Sequence, residues 1–248
     1  MSGVHGGVHA LLKKAAPSLV FVHCRSHLLQ LAFVKASNSI VKIKKVLSAV
    51  TKLYALFAHS PLRLNILRHT LEAVDETAHK LVQPGESKWL SYEGSIAVVL
   101  KHYAAICLAL EAIYVEAGTL SSNAGGLLLT LRKTSTLHFS VVLQHFLQPL
   151  ARLSRTLQSS EINIASAMFI ARATTASLRD DFDINQLEQK SDDTKNAAIQ
   201  TGVHMEQDDI SRGQKSSVCL KYHKAVVGNL EQRFSDEVSN LSEVCSKF

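Results

Sequence analysis

Between Ile43 and Phe57 the apolar side chains of Ile43, Val46, Leu47, Val50, Tyr54 and Phe57 recur at three- and four-residue steps, while Lys44, Lys45 and Lys52 fall on the other side. That spacing builds one continuous face on a helix of 3.6 residues per turn, whereas a strand, whose side chains alternate, would scatter it over both faces. The pattern returns from Glu93 to about Ala117, through Ile96, Val99, Leu100, Tyr103, Cys107, Leu110 and Tyr114. It returns again from His138 to Gln158, with Val142, Phe146, Leu150 and Leu153 facing inward. Only four prolines and eleven glycines are spread over 248 residues, too few turn-formers for an all-β chain, and Leu, Ala, Lys, Gln and Glu fill the long segments. The chain is therefore expected to be mainly α, and 46% apolar residues suffice for a substantial core.

Local signals divide the chain further. Val8 to Ala15 reads as a short helix ending before Pro17, and Leu19-Val20-Phe21-Val22 as a short buried strand. Beyond Cys24 the pattern turns helical, with a break expected around Ser37 to Ser39. Ser60-Pro61 is a start signal, with Pro in the first turn of the next helix. Pro84-Gly85 marks a loop, Ser121 to Gly126 an interruption, and Gly126 to Lys133 a further helix. From Arg179 to Arg212 nine carboxylates accompany much Gln, Asn and Ser with few aromatics, the composition of a loose acidic linker; Val218 to Phe234 resumes as a final helix. No internal repeat of solenoid length is visible.

Charge is distributed unevenly. Net charge is +6, but no Asp or Glu precedes Glu72, while Lys13, Lys14, Arg25, Lys35, Lys42, Lys44, Lys45, Lys52, Arg63 and Arg68 all do. Such a field attracts phosphate backbones without reading their sequence; the alternative is a solvated face, or one that packs against acidic parts of the same protein that lie outside this stretch. The four cysteines are far apart and form no secreted framework, and no apolar run is long enough to span a bilayer. A nuclear or cytoplasmic protein that is not embedded in a membrane is expected.

Candidate sites are few. Cys24 and His27 have a spacing that two metal ligands can share, but a structural zinc site takes four ligands and no second pair is evident, so a structural role at the helix start is preferred. Trp89, the single tryptophan, follows a Pro-Gly turn beside Lys88; an indole there can stack on an unpaired base or pack as an ordinary amphipathic residue. Asp180, Asp181 and Asp183 are dense enough to suggest a metal but are expected to be solvated charge. Gly118 to Gly126 lacks the pattern of a phosphate loop, and no Gly-x-Ser-x-Gly elbow marks a nucleophile. No cofactor is expected.

Three ordered segments carry a family resemblance: His23-Cys24-Arg25-Ser26-His27-Leu28-Leu29-Gln30-Leu31-Ala32; Lys88-Trp89-Leu90-Ser91 followed by Leu100-Lys101-His102-Tyr103; and Asn229-Leu230-Glu231-Gln232-Arg233-Phe234. Together they resemble hAT-family transposases and their domesticated, zinc-finger-associated relatives. The resemblance implies a truncated RNase H-like edge over residues 1–36, a helical insertion domain over 37–178, an acidic flexible linker over 179–217 and a C-terminal helix over 218–248. Met1 falls after the point where that family carries its first catalytic Asp, so two-metal phosphoryl transfer, which needs carboxylates to hold the ions, is not expected. In the family a Trp of the insertion contacts the DNA end, which makes Trp89 the equivalent candidate; Lys88 stands where the family has Arg, keeping the charge but losing the bidentate fork. The implied function is DNA binding without catalysis, with Trp89, Lys88, Lys44, Lys45, Lys52 and Arg25 as contacts, in a monomer. A helical protein-interaction scaffold and a remnant without function are the alternatives.

Overall fold

In a computed structural model, residues 8–16, 24–74, 84, 90–117, 122–159, 161–206 and 210–245 are described. Among them lie eleven helices: α1 (Val8–Ala15), α2 (Arg25–Ser39), α3 (Val41–Ala58), α4 (Pro61–Ala73), α5 (Leu90–Lys101), α6 (Tyr103–Ala117), α7 (Ser122–Arg132), α8 (Thr134–Leu157), α9 (Ile164–Asp180), α10 (Ile184–Gln200) and α11 (Arg212–Cys245). The chain is mainly α, as its periodicity requires. The β pairing seen among the described residues is one isolated bridge between Lys133 and Glu206. The strand expected at Leu19 to Val22 lies outside the described residues.

The helices are arranged around α8. Leu137, Phe139, Val142, Phe146 and Leu150 are buried there together with Ser135, His138, Ser140 and Ser154, so the helix is covered on nearly every side. Helices α2, α3, α5, α7, α9, α10 and α11 pack against it. Its first half is enclosed all round, whereas its second half keeps the expected inward stripe of Phe146, Leu150 and Leu153 with Gln148, Arg152 and Arg155 exposed opposite, and Pro149 removes a backbone donor without ending the helix. On one flank α6 packs against α4, α7 and α10; on the other α11 lies along α2 and α9. One continuous apolar core takes side chains from α2 through α11, and it crosses the expected boundaries near residues 36, 178 and 217.

Several junctions follow the sequence signals. Ser60 caps α4 by accepting a hydrogen bond from the Arg63 amide, with Pro61 in the first turn. The break between α2 and α3 falls at Ile40, in extended conformation, beside the Ser37 to Ser39 stretch expected to hold it. Other junctions differ. Glu93 to Ala117 is two helices, bent by 81° at His102. Both halves are buried in the core, so the apolar pattern runs on through the corner unmarked by Pro or Gly.

The segment expected to be a loose acidic linker holds α10. Asp183 caps its start, accepting from the amides of Asn185 and Gln186. Gly202 ends it at φ 97°, with Val203 N–H bonding the Ala198 carbonyl and Gly202 N–H that of Ile199. This is the paired closure of a Schellman motif. Only Leu187, Ser191 and Ala198 are buried along α10, a stripe too thin to register against its charged remainder. Helix α7 begins four residues before the expected Gly126, and α11 extends well beyond Val218 to Phe234 on both sides.

Candidate anion-binding cleft

Helix α3 turns Ile43, Val46, Val50, Leu53 and Phe57 into the core. Its outer side carries Lys45, Ser48 and Lys52, spaced at three and four residues so that they form a second, polar stripe. This stripe does not face open solvent alone. Arg63 from the first turn of α4 and the first turns of α7 rise beside it, and together they enclose a cleft of about 680 Å³. Its lining is Lys45, Ser48, Ala49, Lys52, Ala55, Leu56, Arg63, Ser122, Asn123, Gly126, Leu127 and Thr130.

Three cations therefore meet in one concavity whose lining, among the described residues, holds no carboxylate. Among the described residues, none of the ion pairs involves Lys45, Lys52 or Arg63. Helix α7 adds to the field. Its N-terminus, at Ser122 and Asn123, opens into the cleft, and its first turn has no acidic residue to cancel the positive end of the dipole. The amides of that first turn have no carbonyl within the helix to bond. Thr130 is the exception among the polar residues, since its hydroxyl donates to the Gly126 carbonyl. Cations, helix amides and hydroxyls of this kind are equipped to hold an anion.

The expected contact residues separate. Lys45 and Lys52 line the cleft; Lys44, one position round the helix, is exposed outside it. Arg25 is half-buried at the start of α2, away from the cleft, with its Nε covered and unbonded. Trp89 and Lys88 lie outside the described residues. The sequence shows Arg63 only as one of the basic residues of the first third and gives no sign of Ser122 or Asn123, because only the fold brings α4 and α7 against α3.

Cys24 serves α2 through its backbone, whose carbonyl accepts from the Leu28 amide at 3.1 Å, with no capping bond from its side chain. Both Cys24 and His27 are exposed, and no group of three metal-ligating side chains occurs among the described residues. The acidic residues near position 180 have local partners: Asp180 pairs with Arg179 at 3.1 Å, Asp181 accepts from the Ser177 hydroxyl and Asp183 caps α10.

A cysteine and a histidine do meet elsewhere, Cys219 Sγ and His138 Nε2 at 3.2 Å. Burial pushes the Cys219 thiol up to about 12. It stays protonated and ties α11 to α8, with none of the thiolate character that covalent catalysis needs. Beside it, His145 and His223 flank the ring of Phe182, the latter stacked on it at 4.4 Å, and burial followed by the charge of His223 lowers the pKa of His145.

A second cleft of about 750 Å³ between α10 and the start of α11 mixes Lys195 and Lys215 with Glu206, and Lys215 is already bonded to Thr134. Its charge is partly cancelled from within. Among the described residues no single helix is long and apolar enough to cross a membrane. No protein-family model matches the chain, and no solved structure matches it.

Proposed function

We propose that this protein is a non-catalytic nucleic-acid-binding module of hAT-transposase descent, acting as a monomer in the nucleus. The observation that carries the proposal is the cleft at α3, α4 and α7, where Lys45, Lys52 and Arg63 converge with no carboxylate among the described lining residues. The resemblance of three ordered segments to hAT transposases supports the descent. In this account residues 1–36 correspond to the edge of the RNase H-like domain and the helices that follow to its insertion. Lys44, Lys35 and Arg25 extend the basic surface beyond the cleft, and Trp89 with Lys88 supplies the contact to an unpaired base.

Binding of labelled single-stranded, hairpin and duplex DNA across a salt series tests this. Each phosphate contact contributes about −0.7 to the logarithmic salt slope for single strands. Changing Lys45, Lys52 and Arg63 together to Ala is expected to flatten that slope by about 2, and Trp89→Ala to remove a preference for hairpin ends. A well-folded protein with no DNA affinity at low salt would sink the proposal and leave a helical protein-interaction scaffold as the better account. Phe169 on α9, Leu62 on α4 and Val115 on α6 each expose about three-quarters of their surface and are where such a partner would rest.

A further inference from the structure

The cleft's lining narrows the class of anion, granted the proposal that this cleft takes a polyanion. A nucleotide offers a protein two handles besides its phosphate. One is the flat face of the base, normally met by an aromatic ring; the other is the base edge, met by paired amides or acids. Among the described residues the cleft's lining holds no aromatic side chain and no carboxylate, and Asn123 is its one side-chain amide. What it does have suits phosphate alone: the cations of α3 and α4, the hydroxyls of Ser48 and Ser122, and the open amides of α7.

Lys45 and Lys52 stand two turns apart, about 10 Å along the axis, so side chains extended from α3 present two separate positive charges, one for each of two neighbouring phosphates. In the same lining the backbone of α7 is bare at Gly126, where a Cβ would meet nothing within 4 Å, so a phosphate oxygen can come close to the helix. We infer that the cleft is a base-blind oligophosphate clamp, which takes two or more adjacent phosphate groups. These belong either to a sugar-phosphate backbone or to a free inorganic polyphosphate.

The test uses the full chain carrying Trp89→Ala, which removes the base contact proposed above, and three probes: inorganic tripolyphosphate, a short dT oligomer and an abasic oligomer of equal length. Gly126→Leu is the central variant, because it fills the cleft, leaves every charge in place and replaces a poor helix former with a good one. Lys45→Ala/Lys52→Ala/Arg63→Ala is the second, and circular dichroism checks that both keep their helix content. The abasic oligomer is expected to bind within about threefold of the dT oligomer, tripolyphosphate to compete with both, and Gly126→Leu to weaken all three about tenfold.

A dT oligomer bound tenfold or more tightly than its abasic counterpart overturns the inference and leaves DNA binding intact. Undiminished binding by Gly126→Leu also overturns it, by placing the phosphates outside the cleft. Tripolyphosphate bound at the cleft with both oligomers rejected upholds the clamp, identifies free polyphosphate as its ligand and ends the nucleic-acid proposal. Rejection of all three probes at low salt overturns both.

Discussion

Replacing Ser37 by Ala is expected to destabilise the protein more than replacing its larger partner, Tyr222, by Phe. The two hydroxyls lie 3.0 Å apart and join α2 to α11, and both side chains are inaccessible to water. In Tyr222→Phe the ring keeps its edge-on contact with Phe146, and the orphaned Ser37 hydroxyl, within α2, can turn back to the carbonyl one turn earlier. The loss is then one net hydrogen bond, about 1 kcal/mol. In Ser37→Ala the phenol is left where neither protein nor solvent can serve it, and the cost rises to about 2 kcal/mol.

The double variant removes both polar groups and is expected to cost about 1 kcal/mol, well short of the roughly 3 kcal/mol that addition of the single costs gives. For a chain of this length, 1 kcal/mol moves Tm by about 2–4 °C. Ser37→Ala should therefore lower Tm by about 4–8 °C and the double variant by about 2–4 °C. Urea and thermal unfolding followed by circular dichroism measure all four proteins. Strict additivity, or a Ser37→Ala cost below about 0.5 kcal/mol, would refute the placement of the phenol in a site with one partner.

The same substitution should have opposite signs at two glycines: Gly228→Ala, exposed within α11 with open space at its Cβ, is expected to stabilise by about 1 kcal/mol. Gly202→Ala, at φ 97°, should cost about 1 kcal/mol although nothing obstructs it, and paired urea titrations check both. Thiol labelling with mass-spectrometric mapping should modify exposed Cys24 in the native protein and spare Cys107 and Cys219, both held near 12 by burial, until the chain unfolds. The lowered pKa of His145 means that the unfolded chain takes up a proton there before the folded one does. Its contribution falls away as pH drops below about 6.5 and levels only below the folded pKa, so His145→Gln should lessen the stability lost between neutral and mildly acidic pH, as read by urea midpoints.

The fold was most legible where a helix has one wet side. On α3 the apolar stripe and the lysines opposite it are read directly from spacing, and the limits of α1 and the Ser60-Pro61 start agree with the structure. Legibility failed at both extremes of burial. Helices α5 and α6 are apolar nearly all round, so their 81° corner leaves no mark in the pattern, and α10 is polar nearly all round, so Leu187 and Ala198 are lost among its charges. The caps of α10 offered a remedy, since Asp183 and Gly202 bracket it in the sequence with the residue types that start and stop helices. The candidate site was half legible. Lys45 and Lys52 belong to one visible stripe, but Arg63, Ser122 and Asn123 join them only through packing that no local pattern encodes.

If the cleft binds phosphate as proposed, binding and folding draw on different residues, which makes the cleft separable by experiment. Its cations carry no ion pair among the described residues, and Lys45 and Lys52 are exposed on the side of α3 away from the core. Removing them should change stability by less than about 0.5 kcal/mol. The polar contacts that tie the helices together lie elsewhere: Tyr222 on Ser37, Cys219 on His138, and the ion pair of Arg132 with Glu111 at 2.8 Å, which fastens the cleft's own α7 to α6. Arg132 is mostly covered, and its loss would leave Glu111 beside Cys107 without a counter-charge while freeing α7 to shift against α3. An Arg132→Met variant should therefore loosen phosphate binding without touching a contact residue, whereas Lys45→Ala should weaken it with the melting curve unchanged. Loss of binding in Lys45→Ala that tracked a fall in Tm would mean that the lysine supports the fold, and the separation between scaffold and cleft would not hold.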